Sequence, residues 1–229
     1  MKVSIVGYGK MGRMIEQLLP EYGAELHSAV DVDAPTAQAE GADVAIEFTT
    51  PEAAVPNLKM LAEMGIPTVT GTTGWLDQMD PVRAAFEGNK TGLVWSPNFS
   101  VGVNIFMRVV EEAASLMAAE PDYEAWAWEI HHSAKKDRES GTLLGLIRAM
   151  QEAGYTRTID KATNRAGKVP GTHEIGFDSA ADTITLRHAA RSREGFARGA
   201  LKAAQWLTGE GAGSAGVYEF KDIFWAKGK

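Results

Sequence analysis

Apolar residues in the first part of the chain alternate between short runs and a helical spacing. Residues 2 to 6 form a short apolar run, which predicts a buried strand, and a glycine-containing turn follows at 7 to 12. The next apolar positions share one face of a helix that Pro20 ends, and they are Met11, Met14, Ile15, Leu18 and Leu19. A second run at about 25 to 30 ends in Asp31, so the order predicts a βαβ unit.

The same alternation continues through the first hundred residues. The further elements that it predicts are strands at 43 to 48, 66 to 70 and 92 to 95, and helices through Leu58 and Leu61 and near 78 to 87. Strands that alternate with helices form parallel sheets. We therefore expect an α/β fold with a Rossmann-type parallel sheet.

The pattern changes after residue 103. A long amphipathic helix is predicted at 104 to 118, and the stretch from Tyr123 to Ile130 alternates with a period of two, so that Trp126, Trp128 and Ile130 share one strand face. Three further strands are predicted near 158 to 162, 172 to 177 and 183 to 188, with a hairpin turn at 178 to 181. These elements indicate a second, α+β domain built on an open mixed sheet.

The last predicted elements are a helix at about 194 to 207 and a strand at 217 to 224, and we expect them to return to the first domain. The expected dinucleotide-binding domain spans residues 1 to 103 and is completed by about 197 to 229. Residues 104 to 196 are expected to form a substrate-binding and oligomerisation domain.

Composition excludes several classes of function. A net charge of −7 disfavours a nucleic-acid partner, which requires a clustered basic face. The chain has no cysteine, and therefore no disulfide and no thiolate nucleophile. Its start lacks the pattern of a signal peptide, and no apolar stretch reaches 18 residues, so we expect a cytoplasmic protein without a membrane partner.

The turn at residues 7 to 12 carries the spacing of a dinucleotide fingerprint. It reads Gly7, Tyr8, Gly9, Lys10, Met11, Gly12, and it lies between a predicted strand and a helix start, where backbone amides can meet a pyrophosphate. Asp31 stands 19 residues beyond Gly12, where a carboxylate can accept hydrogen bonds from a ribose. A glycine-rich packing turn is the alternative.

The surroundings of Asp31 bear on the choice of cofactor. The acid is followed by Val32 and Asp33, with no adjacent arginine, and this charge repels the 2′-phosphate of NADP. Lys10 and Arg13 partly offset the repulsion. We expect NADH or NADPH to bind, with NADH slightly favoured.

Small polar loops follow three predicted strands. They contain Thr49; Gly71, Thr72 and Thr73; and Ser96, Pro97, Asn98 and Phe99. Open α/β sheets bind ligands at the carboxyl ends of their strands, so we expect these loops to wall the cofactor cleft. Each loop taken alone is equally consistent with ordinary turn chemistry.

The segment from Glu129 to Thr142 concentrates groups suited to proton transfer. His131, His132 and Lys135 precede Ser140, Gly141 and Thr142, which start a predicted helix, and imidazoles titrate near neutral pH. Without this context a His-His pair is more often a solvated surface feature than a functional one, and only one of the two need be functional. We expect no metal site, because no third and fourth ligands follow at a supporting spacing and Lys135 opposes a cation.

These motifs together resemble the 4-hydroxy-tetrahydrodipicolinate (dihydrodipicolinate) reductase family of lysine and diaminopimelate biosynthesis. The resemblance spans nearly the whole chain, and the segments that carry it are 6 to 13, 48 to 52, 71 to 74, 97 to 104, 129 to 142, 171 to 174 and 193 to 200. It implies reduction of a cyclic unsaturated dicarboxylate by a nicotinamide cofactor, and commonly a homotetramer formed through the sheet of the second domain.

The resemblance also implies roles for single residues. His131 would donate the proton, Lys135 would assist protonation or stabilise the developing charge, and His132 would contact the substrate. Ser140, Gly141 and Thr142 would hold one carboxylate at a helix start, and Thr73 the other. His27, His173 and His188 are expected to be structural or exposed.

One position departs from the family pattern, since Arg138 and Glu139 stand where members usually show Ala-Pro. Glu139 would weaken dianion binding if it pointed inward, but it is equally able to pair with Arg138 or Lys136. Two alternative functions stay open at this point: a dehydrogenase for a related amino or imino dicarboxylate, and a nucleotide-sensing Rossmann module without turnover.

Overall fold

A computed structural model describes residues 1–31 and 36–225, apart from the side chain of Phe224. The chain divides into two compact units, of which one comprises Met1–Ser100 with Phe196–Lys229 and the other Val101–Gly195. The strands in the described residues are β1 (Lys2–Val6), β2 (Glu25–Val30), β3 (Val44–Glu47), β4 (Thr68–Thr70), β5 (Gly92–Trp95), β6 (Glu124–His131), β7 (Ile159–Arg165), β8 (Thr172–Asp178), β9 (Thr183–Ala189) and β10 (Gly216–Glu219). The α-helices are α1 (Lys10–Leu18), α2 (Pro51–Glu63), α3 (Met79–Gly88), α4 (Val101–Ala118), α5 (Gly141–Glu152), α6 (Glu194–Thr208) and α7 (Phe220–Trp225).

The first unit contains the predicted Rossmann-type parallel sheet. Six strands lie in the order β10-β5-β4-β3-β1-β2, and each pair is parallel. Strands β3 and β4 are buried along their whole length, as expected for a sheet with covered faces. Helices α2 and α3 pack through Leu58, Val82 and Phe86 against Leu93 of the sheet.

The prediction for the end of the chain was partly wrong. The predicted strand at 217 to 224 is shorter, because β10 ends at Glu219 and α7 begins at Phe220. Phe220 and Ile223 are both buried, and their spacing of three residues places them on the same helical face. Asp222 in the first turn also favours a helix start.

The second unit contains the predicted mixed sheet. Its order is β7-β6-β8-β9, in which β6 and β7 are parallel and the other two pairs are antiparallel. The core of this unit lies on the face of β6 that carries Ala125 and Ala127, where it includes Phe177, Leu146 and Tyr155. Trp126, Trp128 and Ile130 therefore share the face opposite to this core, and all three are partly exposed.

Arg157 closes the end of the long helix α4. Its guanidinium donates to the carbonyl oxygens of Met117 (2.8 Å), Ala118 (3.3 Å) and Glu120 (2.9 Å). It also lies 4.4 Å from the ring centroid of Tyr155. The carbonyls at a helix C-terminus lack partners within the helix and carry partial negative charge, so a cation stabilises them.

Arg157→Ala should lower the free energy of unfolding by about 1.5–3 kcal/mol, the range for hydrogen bonds to a charged group. Urea unfolding measures this change. Arg83→Ala is the matched control, because its partner Glu87 lies 3.8 Å away in an exposed ion pair, and such pairs contribute little. Equal losses in the two variants would contradict the capping role.

Candidate active site

The predicted nucleotide residues all follow strands of the parallel sheet. The residues are Gly7 to Gly12 after β1, Asp31 after β2, Thr49 after β3, Gly71 to Thr73 after β4, and Ser96 to Phe99 after β5. Because these strands are parallel, their carboxyl ends open at one edge. The structure therefore brings the five segments to the same side of the sheet, whereas Val32 and Asp33 lie outside the described residues.

The glycine turn leaves room where side chains would block it. Gly7 has φ +96°, and a Cβ there would lie 2.0 Å from the carbonyl oxygen of Phe48. A Cβ on Gly12 would lie 2.4 Å from the carbonyl oxygen of Gly7, so the helix packs closely against the turn. At Gly9, the N-cap of α1, a Cβ would meet nothing within 4 Å, and no side chain caps the helix.

A cavity of about 350 Å³ opens beside this turn, and its lining includes Gly7, Tyr8, Gly9, Asp31 and Thr49. Open backbone at a helix N-terminus suits an anion, and a carboxylate at the end of the second strand suits ribose hydroxyls. The first unit thus fits a dinucleotide.

Two side chains beside the glycine turn form a stacked pair. The guanidinium of Arg13 lies 5.0 Å from the ring centroid of Tyr8, and the Tyr8 hydroxyl donates to Glu16. Because this hydrogen bond favours the protonated phenol, the pKa of Tyr8 is raised. The pair places a cation next to the turn that carries Gly9.

A buried acid that the sequence motifs did not reveal organises two of the loops predicted to border the cofactor. Glu47 at the end of β3 is fully buried and accepts hydrogen bonds from the hydroxyls of Thr49, Thr70 and Thr72. Burial raises its pKa, and these hydrogen bonds oppose the shift. The signal in the sequence was an acid inside the apolar run of β3.

Several predicted nucleotide residues use their side chains within the protein. Thr72 is buried and engaged by Glu47, and the Ser96 hydroxyl donates to the carbonyl of Asn98 at 2.8 Å. Phe99 is 1% exposed, with its ring centroid 5.0 Å from that of Phe220. These residues shape the loops, and any direct contact with a nucleotide would come from their backbone atoms. Thr73, in contrast, is exposed.

Strand register assembles a second cluster in the other unit. On the core face of β6, Glu129 lies opposite His173 of β8, and His131 lies opposite Arg165 of β7. Glu129 is 0% exposed, while His131 and His173 are also buried. Of these four residues only His131 was predicted as a site residue from the sequence, although the alternation of β6 places Glu129 on the same buried face.

The carboxylate of Glu129 is the centre of this cluster. Oε1 accepts from the Ser140 amide at 3.0 Å and from Arg165 at 3.1 Å, and Oε2 accepts from the Ser140 hydroxyl. Oε2 also lies 3.3 Å from Nε2 of His173 and 3.6 Å from Nδ1 of His131. A Cβ on Gly171 would lie 2.9 Å from Nε2 of His131, so this glycine leaves room for the imidazole.

Burial and charge set the protonation states. Although burial alone raises the pKa of Glu129, hydrogen bonds from His173 and Ser140 and the nearby cations bring that pKa to about 2. Burial lowers the pKa of His131 to about 4, against the charge of Glu129, which raises it. In this structure Glu129 is therefore a carboxylate and His131 a neutral imidazole at pH 7.

The predicted carboxylate-binding segment begins at Ser140, the N-cap of α5. The Ser140 hydroxyl accepts from the Leu143 amide at 3.0 Å and donates to Glu129, so it faces the cluster. Gly141 is exposed and Thr142 is partly exposed at the start of the helix. First-turn amides have no partner within a helix, and the dipole favours an anion there.

The loop before α5 carries the remaining candidates. Lys135 lies 3.1 Å from the carboxylate of Asp137, and the preceding His132 is partly exposed. Glu139, at the position that departs from the family pattern, pairs with Lys161 of β7 at 2.9 Å. The partner of Glu139 is therefore Lys161, and not Arg138 or Lys136, which the sequence had suggested.

Ligand atoms of Glu129, His131 and His173 lie within 4.8 Å of one another, a spacing that a metal ion could bridge. However, both oxygens of Glu129 already accept hydrogen bonds, and the Arg165 cation lies 3.1 Å from one of them. A second cation at this position would be repelled. We therefore assign no metal to the cluster.

Acid should destabilise the protein through this cluster. The folded pKa of His131, about 4, lies below its ordinary value of 6.5, so between these values the unfolded chain binds more protons and the free energy of unfolding falls as the pH falls. Glu129 adds a loss in the same direction between pH 4.5 and about 2.

Urea unfolding of wild type and His131→Gln at several pH values between about 7 and 4 would measure the first loss. The variant should show a flatter decline. Burial also lowers the pKa of His188, which stays in both proteins. His27→Gln is the control, because this imidazole lies in the other unit and contacts the carbonyl of Glu40. An unchanged slope in His131→Gln would contradict the assigned protonation state.

Comparison with known proteins identifies related sequences over both units. The family model described as dihydrodipicolinate reductase, N-terminus, matches residues 1–99, and its C-terminus counterpart matches residues 102–224. A 4-hydroxy-tetrahydrodipicolinate reductase of Christiangramia forsetii is 33% identical over 236 residues, covering 97% of each chain. One from Archaeoglobus fulgidus is 34% identical, covering 90% of this chain and 94% of that relative.

Solved structures support the same fold. A dipicolinate-bound dihydrodipicolinate reductase from Paenisporosarcina sp. TG-14 has a TM-score of 0.80 at 20% identity, with 97% of this chain and 99% of that chain covered. A probable dehydrogenase from Thermotoga maritima has a TM-score of 0.62 at 10% identity, covering 97% and 92%. In the part of the chain that the structure describes, we find no helix with the length and apolarity to cross a bilayer.

Proposed function

This chain belongs to the 4-hydroxy-tetrahydrodipicolinate (dihydrodipicolinate) reductase family, and from that membership we propose the following reaction and residue roles. The protein reduces the ring derived from 4-hydroxy-tetrahydrodipicolinate to tetrahydrodipicolinate, a step of lysine and diaminopimelate biosynthesis. One observation above all supports these residue roles: His131, Glu129 and the start of α5 meet in one buried cluster.

His131 is the proposed proton donor. Reduction of a conjugated ring leaves negative charge that a proton must neutralise, and a positioned imidazole suits this task. His131 is neutral in the free protein, so it must take up a proton when the dianionic substrate binds. The two carboxylates of the substrate favour this uptake, because nearby negative charge raises the pKa of an imidazole. Lys135 supports the reaction with a second positive charge.

Substrate recognition is proposed for polar groups around the same loop. The amides of Gly141 and Thr142 bind one carboxylate at the positive end of α5. Ser140 acts by fixing the helix start, since its hydroxyl faces Glu129 and the Leu143 amide. His132 contacts the substrate, and Thr73, which is exposed, contacts the other carboxylate.

The cofactor is a pyridine nucleotide, which supplies a hydride when bound. In our proposal, the amides of the turn from Gly7 to Gly12 hold its pyrophosphate, and Asp31 holds a ribose. The remaining part of the nucleotide is bordered by the loops of Thr49, Gly71 to Thr73 and Ser96 to Phe99. Glu47 keeps two of these loops in place through the hydroxyls of Thr49 and Thr72.

NADH should be slightly preferred over NADPH. Asp31 lines the cavity of the glycine turn and repels a 2′-phosphate, while Arg13, stacked on Tyr8, offsets part of that repulsion. Asp31→Ser should therefore shift the ratio of kcat/KM values toward NADPH by roughly tenfold, about 1.4 kcal/mol. Steady-state kinetics with both cofactors measure the ratio, and a strong preference of wild type for NADPH would contradict the assignment.

A coupled spectrophotometric assay tests the function itself. Oxidation of NADH or NADPH in the presence of the dipicolinate precursor is followed at the absorbance band of the reduced nicotinamide. Turnover supports the proposal. Turnover only with another amino or imino dicarboxylate would favour a related dehydrogenase, and nucleotide binding without any turnover would favour a sensor module.

A homotetramer in the cytoplasm is part of the proposal. The partly exposed side chains of Trp126, Trp128 and Ile130 lie on the sheet face opposite to the core of the second unit, which makes this face available for assembly. Light scattering should give about four times the chain mass of 24.6 kDa. A mass equal to that of one chain would contradict it.

A further inference from the structure

Glu129 combines full burial with an unusual number of polar partners. Its carboxylate meets the amide and hydroxyl of Ser140, the guanidinium of Arg165 and the imidazoles of His173 and His131. A buried carboxylate is costly unless its neighbours compensate it. The neighbours of Glu129 are the residues around the proposed proton donor and the proposed carboxylate site.

The first connection runs to the start of α5. Glu129 holds both the amide and the hydroxyl of Ser140, and the same hydroxyl caps the helix through the Leu143 amide. A shift of the Ser140 backbone would move the next two amides, those of Gly141 and Thr142. The carboxylate of Glu129 thus determines where the first turn of α5 lies.

The second connection runs through Arg165 to the loop of Lys135. Besides Glu129, the guanidinium donates to the carbonyl oxygens of Asp137 and Arg138, each at 2.7 Å. Lys161, on the same strand, pairs with Glu139 at 2.9 Å. Two side chains of β7 therefore hold the loop in place without a φ-restricting proline.

The third connection is electrostatic. Four groups surround His131 from four segments: Glu129 on its own strand, Arg165 on β7, His173 on β8 and Lys135 in the loop. Burial is the largest influence and lowers the pKa of His131; Glu129 raises that pKa, and the three other groups lower it. Removing the charge of Glu129 therefore disfavours the imidazolium, whatever the substrate adds.

We propose that Glu129 is a positioning residue that holds the start of α5 and the Lys135 loop, through Ser140 and Arg165, and that places a carboxylate beside the imidazole of His131. The inference rests on the proposed function. It assigns one buried charge to two measurable effects, on substrate binding and on proton donation, which a residue needed only for folding would not produce together.

Glu129→Gln is the central variant, because it removes the charge with little change of shape. Loss of an opposite charge at this distance lowers the pKa of His131 by about one to three units. Since the donor must be protonated, the basic limb of the kcat profile should move to lower pH by about one unit or more. At neutral pH, kcat should fall by roughly tenfold or more.

Binding supplies the second readout. The probe is dipicolinate, and its affinity is measured by isothermal titration calorimetry with NADH present. The dissociation constant should rise roughly tenfold in Glu129→Gln, because the helix start and the loop lose a common anchor. Glu129→Asp keeps the negative charge on a side chain that is one methylene shorter. The basic limb of its kcat profile should therefore return toward the wild-type position, even if its affinity for dipicolinate stays reduced.

Glu111→Gln is the matched control. Glu111 lies on α4 in the same unit, where its carboxylate pairs with Arg108 at 3.0 Å. In this control variant the basic limb of the kcat profile and the dipicolinate affinity should match those of wild type. If Glu129→Gln does not fold, the Glu129→Gln/Arg165→Met double variant leaves no buried charge unpaired, and dipicolinate affinity should fall in it as well.

Three outcomes would overturn the inference. One is a Glu129→Gln variant in which the basic limb of the kcat profile and the dipicolinate affinity equal those of Glu111→Gln. Another is an equal loss of dipicolinate affinity in Glu129→Gln and Glu129→Asp, with the basic limb of the kcat profile unchanged in both, which would indicate that Glu129 acts through packing alone. The last is wild-type dipicolinate affinity in a folded double variant. Absence of turnover in wild type would reject the proposed function, while the dipicolinate measurement would still test Glu129.

Discussion

Replacement of His131 by glutamine should lower kcat by roughly 10²- to 10⁴-fold, the usual contribution of a positioned general acid. Glutamine approximates the size of the imidazole but cannot deliver a proton. The Michaelis constant should change much less, because the proposed carboxylate contacts belong to the start of α5. Pre-steady-state and steady-state kinetics in the coupled assay would separate the two quantities.

The pH dependence of kcat and of kcat/KM should differ, because the pKa of His131 changes when the substrate binds. In the free protein the pKa of His131 is lowered to about 4, and a bound dicarboxylate raises it. The pH profile of kcat reports pKa values in the substrate complex, and that of kcat/KM reports those of the free enzyme. The basic limb should therefore lie at higher pH in the kcat profile than in the kcat/KM profile. His27→Gln should keep both profiles. If kcat in His131→Gln stays within about threefold of wild type, a different group, with Lys135 first among the candidates, donates the proton.

Replacement of Gly9 by alanine should weaken cofactor binding without unfolding the protein. Gly9 has φ −83° and ψ −150°, in the extended region, and an added Cβ meets nothing within 4 Å. The methyl group would therefore be tolerated by the protein itself. It would occupy the space in which the backbone approaches a pyrophosphate, so the dissociation constant for NADH should rise by roughly tenfold to a hundredfold, about 1.4–2.8 kcal/mol.

Two further glycines make this experiment specific. Gly7→Ala should reduce both stability and binding, because φ is +96° and the Cβ would lie 2.0 Å from the carbonyl oxygen of Phe48. Gly88→Ala, at the exposed end of α3 with nothing within 4 Å of its Cβ, should leave both unchanged. Fluorescence titration with NADH and thermal unfolding distinguish the three variants. Normal NADH affinity in Gly9→Ala would place the pyrophosphate elsewhere.

Periodicity in the sequence was sufficient for the architecture. The alternation of apolar runs and helical faces through residue 95 predicted the parallel sheet, and the period-two pattern from Tyr123 predicted the mixed sheet. The weak point was the end of the chain, where Phe220 and Ile223 suit a strand or a helix equally by composition. Packing of both side chains on one helical face decided in favour of α7.

Local motifs identified those site residues whose chemistry depends on neighbours in sequence. Gly7, Gly9 and Gly12 are recognisable because a tight turn before a helix needs glycine at that spacing, and Lys135 follows His131 after only three intervening residues. By contrast, Arg165 and His173 are 34 and 42 residues beyond His131 in the sequence. Only strand pairing brings them next to it, so no local pattern could reveal their role.

The sequence by itself therefore determined the two sheets, the glycine turn and the family, because each depends on spacing along the chain. Tertiary structure decided which charges are buried and with what they pair. The register of β6 with β7 and β8 places Arg165 and His173 around Glu129, and burial there makes the electrostatic interactions of this carboxylate stronger than they would be in water. The protonation state of His131 follows from that arrangement and not from its position in a motif.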